Sequence, residues 1–249
     1  NFIDTAFTYN GSQKILSELD ISSMNIITKL PTEFFDKNIT EHDVFKFVER
    51  SLRNLKIESY YGVLLHNSNS LLGENFERVR YILHKLKEKK YTKKIGVSVY
   101  SPQELEKILN KIDINIVQAP FNILDTRFYN SGSLERLKSL NIEFHARSIF
   151  LQGLLLFDKN ERPLKFSKYK KIWNIWDEWL TNNKLNSINA CLNFVKGVEK
   201  IDKIIFGVEN LSQFKEILDV KNQSLNDLPN WPKIIDERLI NPIYWKDLE

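Results

Sequence analysis

Asn25-Ile26-Ile27-Thr28-Lys29-Leu30 is a short apolar run into which a hydroxyl and an ammonium are set near its end, and the form recurs along the chain. Val63-Leu64-Leu65 runs into His66, Ile95-Gly96-Val97 into Ser98, and Ile204-Ile205-Phe206 into Gly207. Continuous apolar runs of this length fit strands buried on both faces, as in a parallel sheet covered by helices. The strands read from the sequence are Asn1 to Thr5, Asn25 to Leu30, Tyr61 to His66, Lys94 to Val99, Ile114 to Gln118, Ile142 to Ser148 and Lys203 to Phe206.

Amphipathic segments separate them. From His42 to Leu55, the residues Phe45, Val48, Leu52 and Leu55 recur at spacings of three and four, which predicts a helix with one apolar face. Ser101-Pro102-Gln103-Glu104 supplies a cap, a proline in the first turn and a glutamate at the capping-box position. Two further helices are expected around Lys168 to Leu180 and Ile188 to Val195. Trp173, Trp176 and Trp179 recur at intervals of three in the first of these, a spacing that packs one helix face rather than lining a ligand site. Strands alternating with crossover helices predict an α/β chain and a (β/α)8 TIM barrel. Such a barrel needs one more strand, and the sequence opens inside one. The expectation is that the N-terminal strand and first helix are missing from this chain.

The 249 residues, 42% of them hydrophobic, suffice for one large core, since a chain of this size buries roughly 70–75% of its unfolded surface. A single domain over residues 1–249 is expected. Net charge is +4, from 36 basic and 32 acidic residues, and no long basic run marks a nucleic-acid or membrane partner. The single cysteine, Cys191, lies in an apolar stretch, which leaves no disulfide and no cysteine-ligated metal to expect. No run of about 18 apolar residues occurs, and Asn1-Phe2-Ile3-Asp4 has no signal-peptide form. A cytoplasmic location is the expectation.

In barrels of this class the site lies at the C-terminal ends of the strands, above an interior filled with apolar side chains. The predicted strands end in Asp4-Thr5, Thr28-Lys29, His66-Asn67, Ser98, Gln118 and Arg147-Ser148. Read singly, Asp4 and Lys29 could be a structural ion pair, His66 a strand-end histidine and Tyr9 a loop aromatic. Read together they form one chemistry. A phenol with a pKa near 10 is a weak acid at neutral pH. An adjacent ammonium, Lys29, would favour the phenolate of Tyr9, each unit of lowering being worth about 1.4 kcal/mol. Asp4 would keep Lys29 charged and oriented. His66 could donate to a carbonyl oxygen on which negative charge develops.

On these residues the sequence resembles the aldo-keto reductases. Asn1-Phe2-Ile3-Asp4-Thr5-Ala6-Phe7-Thr8-Tyr9 is similar to the family's catalytic segment, Ile26-Ile27-Thr28-Lys29 to its lysine strand, and Leu64-Leu65-His66 to its histidine strand. The resemblance implies a catalytic tetrad of Asp4, Tyr9, Lys29 and His66, a nicotinamide cofactor, with NADPH the family default and NADH open, and a small-molecule carbonyl substrate. It implies cofactor contacts from Ser98 and Gln118, and from Arg147, Ser148 and Phe150 in Ala146-Arg147-Ser148-Ile149-Phe150. Gly207 and Gln213, in Phe206-Gly207-Val208-Glu209-Asn210-Leu211-Ser212-Gln213, match the segment that holds the adenosine phosphate. The pattern is departed from three times: Val99 stands where asparagine is usual, Arg147 where an aromatic stacks on the nicotinamide, and Gln213 where arginine is common. The competing readings are a Schiff-base aldolase using Lys29, against which Asp4 argues by keeping the lysine protonated, and a non-catalytic cofactor-binding barrel acting as a regulatory or scaffold subunit. Substrate identity and oligomeric state are not encoded in any motif.

Overall fold

The computed structural model describes residues 1–35 and 38–248, and the chain divides into two compact units, Asn1–Gln118 with Leu137–Phe144, and Ala119–Arg136 with His145–Glu249. The strands are β1 (Phe2–Asp4), β2 (Asn25–Leu30), β3 (Tyr60–Leu65), β4 (Thr92–Ser98), β5 (Ile116–Pro120), β6 (Glu143–Arg147) and β7 (Lys203–Ile204), and they neighbour one another in chain order. The observed strands match the predicted ones to within a few residues at each end.

In the first unit β1 to β5 pair in parallel, with Asp4 opposite Ile27, Lys29 opposite Leu64, and Ser98 opposite Gln118. The Glu143 N–H adds β6 by donating to the Asn115 carbonyl at 2.9 Å. Ile27, Leu64 and Ile116 form a buried core cluster, with Tyr61 packed against it. Two glycines let the strands close over that core. A Cβ at Gly62 would lie 2.7 Å from Ile116 Cδ1, and one at Gly96 would lie 2.2 Å from the Ile116 carbonyl oxygen, where no side chain fits.

Helix Glu41–Leu55 starts at a reciprocal cap: Thr40 Oγ1 accepts from the Asp43 N–H, and Asp43 Oδ2 accepts from the Thr40 N–H. Its buried face is Val44, Val48, Ser51, Leu52 and Leu55. Phe45, expected in that face, is only half-buried, and the Lys89 ammonium lies 5.5 Å from its ring. At Pro102–Leu109 the Ser101 hydroxyl caps Glu104 N–H at 3.2 Å, while Glu104 reaches one residue further back, to the Tyr100 N–H at 2.7 Å.

In the second unit β6 pairs in parallel with β7, His145 opposite Lys203, and the Phe121 N–H joins β5 to β6 by donating to the Arg147 carbonyl at 3.0 Å. Helix Lys170–Asn183 buries Trp173, Trp176 and Trp179. The Trp173 and Trp176 indole N–H groups donate to the Phe166 and Leu155 carbonyls at 2.9 and 3.1 Å, so these rings are packing elements with satisfied polar ends. Cys191 is wholly buried in helix Ser187–Lys196, and that burial pushes its thiol pKa up and keeps it inert. Among the described residues no helix is long and apolar enough to cross a membrane.

Candidate active site

β2 serves as the rail on which this site is hung. Its carbonyls run past the ends of β1 and β3, and three of them hold the segments that leave those strands. The Thr5 N–H donates to the Ile27 carbonyl at 2.8 Å, the Phe7 N–H to Lys29 at 3.3 Å, and the His66 N–H to Leu30 at 2.9 Å. After Ala6 the chain turns, with the Tyr9 N–H donating back to the Ala6 carbonyl at 3.0 Å. Phe7 anchors the turn by packing edge-on against Phe47 and Tyr60, at centroid distances of 5.0 and 6.1 Å. The turn thereby presents Thr8 and Tyr9.

Lys29, at 2% exposure, is buried at the end of β2. Its ammonium donates to Asp4 Oδ2 at 2.5 Å and to the Thr5 carbonyl at 3.1 Å. The other carboxylate oxygen, Asp4 Oδ1, accepts from Gln118 Nε2 at 2.9 Å. A buried charge is tolerable only when paired and hydrogen-bonded, and these contacts meet that condition for both ions. The Lys29 ammonium also lies 5.6 Å from the centre of the Tyr9 ring. Tyr9 is 47% exposed, so the phenol stands between a buried cation and solvent. The His66 ring meets it edge-on at 6.1 Å, and His66 Nδ1 lies 3.2 Å from Thr8 Oγ1.

The residues read from the sequence as the tetrad are thus neighbours in one unit, at the C-terminal ends of β1, β2 and β3. Two contacts have no counterpart in that reading. The Gln118 amide, taken there as a cofactor contact, fastens Asp4, and Thr8 touches His66. The signal for the second was present: a hydroxyl directly before the tyrosine.

A nicotinamide carboxamide needs a donor for its oxygen and an acceptor for its amide. Ser98 and Gln118 sit side by side on β4 and β5. With Gln118 Nε2 committed to Asp4, its Oε1 is the acceptor and the Ser98 hydroxyl the donor, so the pair fits such a group chemically. In the second unit Arg147 closes β6 and is half-buried, and Phe150 is buried. Ser148, Leu151, Gln152 and Gly153 have positive φ angles of 55, 48, 53 and 83°, a contorted loop in which the Ser148 carbonyl accepts from Asn122 Nδ2 at 3.1 Å. At Gly207 an added Cβ would meet nothing within 4 Å, which leaves its backbone open to a ligand. Gln213 is committed to a cap: its N–H donates to Asn210 Oδ1 at 2.9 Å, and its Oε1 accepts from the Glu209 N–H at 2.8 Å. A separate cavity of about 1390 Å³ in the second unit, with Phe121, Asn193, Lys203 and Trp231 in its wall, includes none of the candidate catalytic or cofactor residues.

The model of the aldo/keto reductase family matches residues 1–228. The chain belongs to the aldo/keto reductase family. As an aldo/keto reductase it is an oxidoreductase of the (β/α) barrel class. Solved structures of the same fold include an aldo-keto reductase of Bacillus halodurans, 18% identical at a TM-score of 0.73, covering 91% of this chain and 78% of that one. A glycerol dehydrogenase of Gluconobacter oxydans is 22% identical at a TM-score of 0.68, over 91% of this chain and 77% of its own. An aldo-keto reductase of Klebsiella pneumoniae in complex with NADPH is 16% identical at a TM-score of 0.66, over 91% and 76%. Among curated proteins no relative matches this reductase.

Proposed function

We propose that this reductase converts an aldehyde or ketone to an alcohol with a reduced nicotinamide dinucleotide, and that Asp4, Tyr9, Lys29 and His66 carry the reaction. The observation that carries this reading is the buried Lys29–Asp4 pair with the Tyr9 ring 5.6 Å from the ammonium. When bound, the reduced nicotinamide supplies a hydride to the carbonyl carbon. The chain's own part is the proton and the charge. Tyr9 gives its hydroxyl proton to the carbonyl oxygen, and Lys29 stabilises the phenolate left behind. Asp4, with both oxygens engaged, holds Lys29 as an ammonium and so removes the nucleophile that a Schiff-base aldolase would need. His66 donates to the same carbonyl oxygen and fixes its direction.

On this reading Ser98 and Gln118 would hold the carboxamide. In the second unit the family resemblance assigns Arg147, Ser148 and Phe150 to the nicotinamide half and Gly207 to the adenosine phosphate, for which the start of helix Leu211–Leu218 offers the N-terminus of a helix, an anion site. Arg147 supplies a positive charge that repels an oxidised, cationic ring and spares a neutral reduced one. Binding should then favour the reduced form, by about tenfold for each 1.4 kcal/mol of that repulsion. Gln213 supplies no charge for a 2′-phosphate, so NADPH and NADH compete on the rest of the site.

The test is titration of the intrinsic tryptophan fluorescence with NADPH, NADH and NADP⁺, followed by turnover on a panel of aldehydes and ketones. Saturable binding with the reduced forms tighter, and consumption of reduced cofactor with at least one carbonyl, is the expected result. Absence of binding by every nicotinamide would sink the proposal.

A further inference from the structure

The four residues named above account for proton, charge and orientation, but one atom of the set has its role fixed from outside it. A neutral imidazole carries a single N–H, on Nδ1 or on Nε2, and the partner of one nitrogen decides the state of the other. His66 helps a carbonyl oxygen only if its substrate-facing nitrogen bears the proton, because a bare nitrogen lone pair would repel that oxygen. The partner of Nδ1 is the Thr8 hydroxyl, at 3.2 Å.

We infer that Thr8 is a positioning residue: its hydroxyl donates to His66 Nδ1 and holds the ring as the tautomer protonated on Nε2, which donates to the substrate carbonyl. A threonine hydroxyl can also accept, so the direction needs an argument. Among the described residues, the contact found for Thr8 Oγ1 is the one to His66 Nδ1, so within the protein this nitrogen is the acceptor available for the hydroxyl proton. Both partners are fixed in place from below. The turn bearing Thr8 is tied to β2 through the Phe7 N–H to the Lys29 carbonyl, and His66 through its own N–H to the Leu30 carbonyl, so two consecutive carbonyls of one strand set the distance between them. Phe7, half-buried and packed edge-on against Phe47 and Tyr60, keeps the turn from rotating. The result is a relay of position from Thr8 through His66 to the substrate oxygen, with no proton moving through it.

The inference rests on the carbonyl-reduction reading for its purpose, but its direct test needs no turnover. The chain has four histidines, so the His66 ring signals can be identified in nitrogen-15 NMR spectra by their loss in H66Q. At a pH where the ring is neutral, wild-type His66 should show Nδ1 as a bare nitrogen and Nε2 as a protonated one. In T8V the two signals should move toward the averaged positions of exchanging tautomers, and in T8S they should return. A wild-type ring protonated on Nδ1, or identical ring signals in wild type and T8V, would overturn the assignment.

Kinetics then test the purpose. T8V should lower kcat/KM for the carbonyl by about tenfold with the Kd for the reduced cofactor unchanged, and T8S should recover most of it. A fall in T8S with T8V close to wild type would show that the threonine methyl, and so packing alone, is what counts, and would overturn the role of the hydroxyl. A protein that shows the expected ring signals and reduces no carbonyl would count against the proposed function while leaving the role of Thr8 intact.

Discussion

Two lysines of the first unit lie toward opposite ends of its parallel strands, and each meets a carboxylate with a tyrosine beside it. Lys29 meets Asp4 near Tyr9 at the C-terminal ends. Lys94 meets Glu143 near Tyr61 at the N-terminal ends, where the Lys94 ammonium also lies 4.7 Å from the Tyr61 ring. The residue types are nearly the same, yet the arrangement differs in who takes the carboxylate. At Asp4 one oxygen is given to Lys29 and the other to Gln118. At Glu143 a single oxygen, Oε1, accepts from Lys94 and also from the Tyr61 hydroxyl, the latter at 2.6 Å. Burial and that bond to a carboxylate raise the Tyr61 pKa. A phenol so held keeps its proton. On the proposed function the first tyrosine is a proton donor and the second a strut, and what differs between the two arrangements is whether a glutamine or the tyrosine itself bonds to the carboxylate.

Removing each ammonium in turn should separate the two ends most strongly. K29M should cut kcat by about 10³-fold and displace the basic limb of whatever pH profile remains, whereas K94M should turn over at close to the wild-type rate. Steady-state assays that show both variants equally impaired would erase the distinction. Next in size is the phenol pair. Y9F should lose on the order of 10²-fold or more in kcat with cofactor affinity nearly unchanged, and Y61F should stay within about twofold.

Stability reverses the order. K94M leaves Glu143 half-buried without its cation and should cost about 2 kcal/mol in urea unfolding; an unchanged urea midpoint would mean that this end is not a strut. The smallest effect is on the alkaline side. Burial pulls the Lys94 ammonium down, but its bonds to Glu143 and Tyr61 outweigh that and leave its pKa raised, as is that of Tyr61. A pKa raised in the folded state contributes stability that is complete below the unfolded value, near 10 for both groups, and is lost as pH climbs through the folded value. Unfolding free energy should then fall as the pH rises above about 10, and less steeply in Y61F.

The strands were legible because each is a compact apolar run, and β2 was read to its ends at Asn25 and Leu30. The candidate site was legible because chemistry-bearing side chains fall where apolar runs stop. What the sequence hid is every contact that depends on a partner far along the chain. Gln118 lies 114 positions from Asp4, and nothing in either neighbourhood says that the amide will turn to that carboxylate. Lys94 and Tyr61 sit inside strands where polar residues read as surface, until Glu143 arrives from β6 to meet them. Phe45 was placed in a helix face by periodicity that Val44 fulfils better, since the face is centred one residue earlier than the apolar count suggested. Gln213 was read by its alignment with a ligand-binding position, while the nearer demand was an unsatisfied N–H at a helix start.

The close approach at Gly96 bears on how finely this enzyme can be tuned. Gly96 faces Ile116 in the β4–β5 register, and two residues up the same strands Ser98 faces Gln118. With 2.2 Å between a hypothetical Cβ and the Ile116 oxygen, even a methyl group would act as a wedge, prying the two strands apart just below the pair. The Gln118 amide would swing away from Asp4, and the carboxylate would lose the bond that steadies it against Lys29. Ångström-level tolerance at the reacting groups is therefore inherited from a point in the core that carries no functional side chain, and engineering of this pocket by substitutions around Tyr9 or Ser98 has to treat Gly96 as its fixed fulcrum.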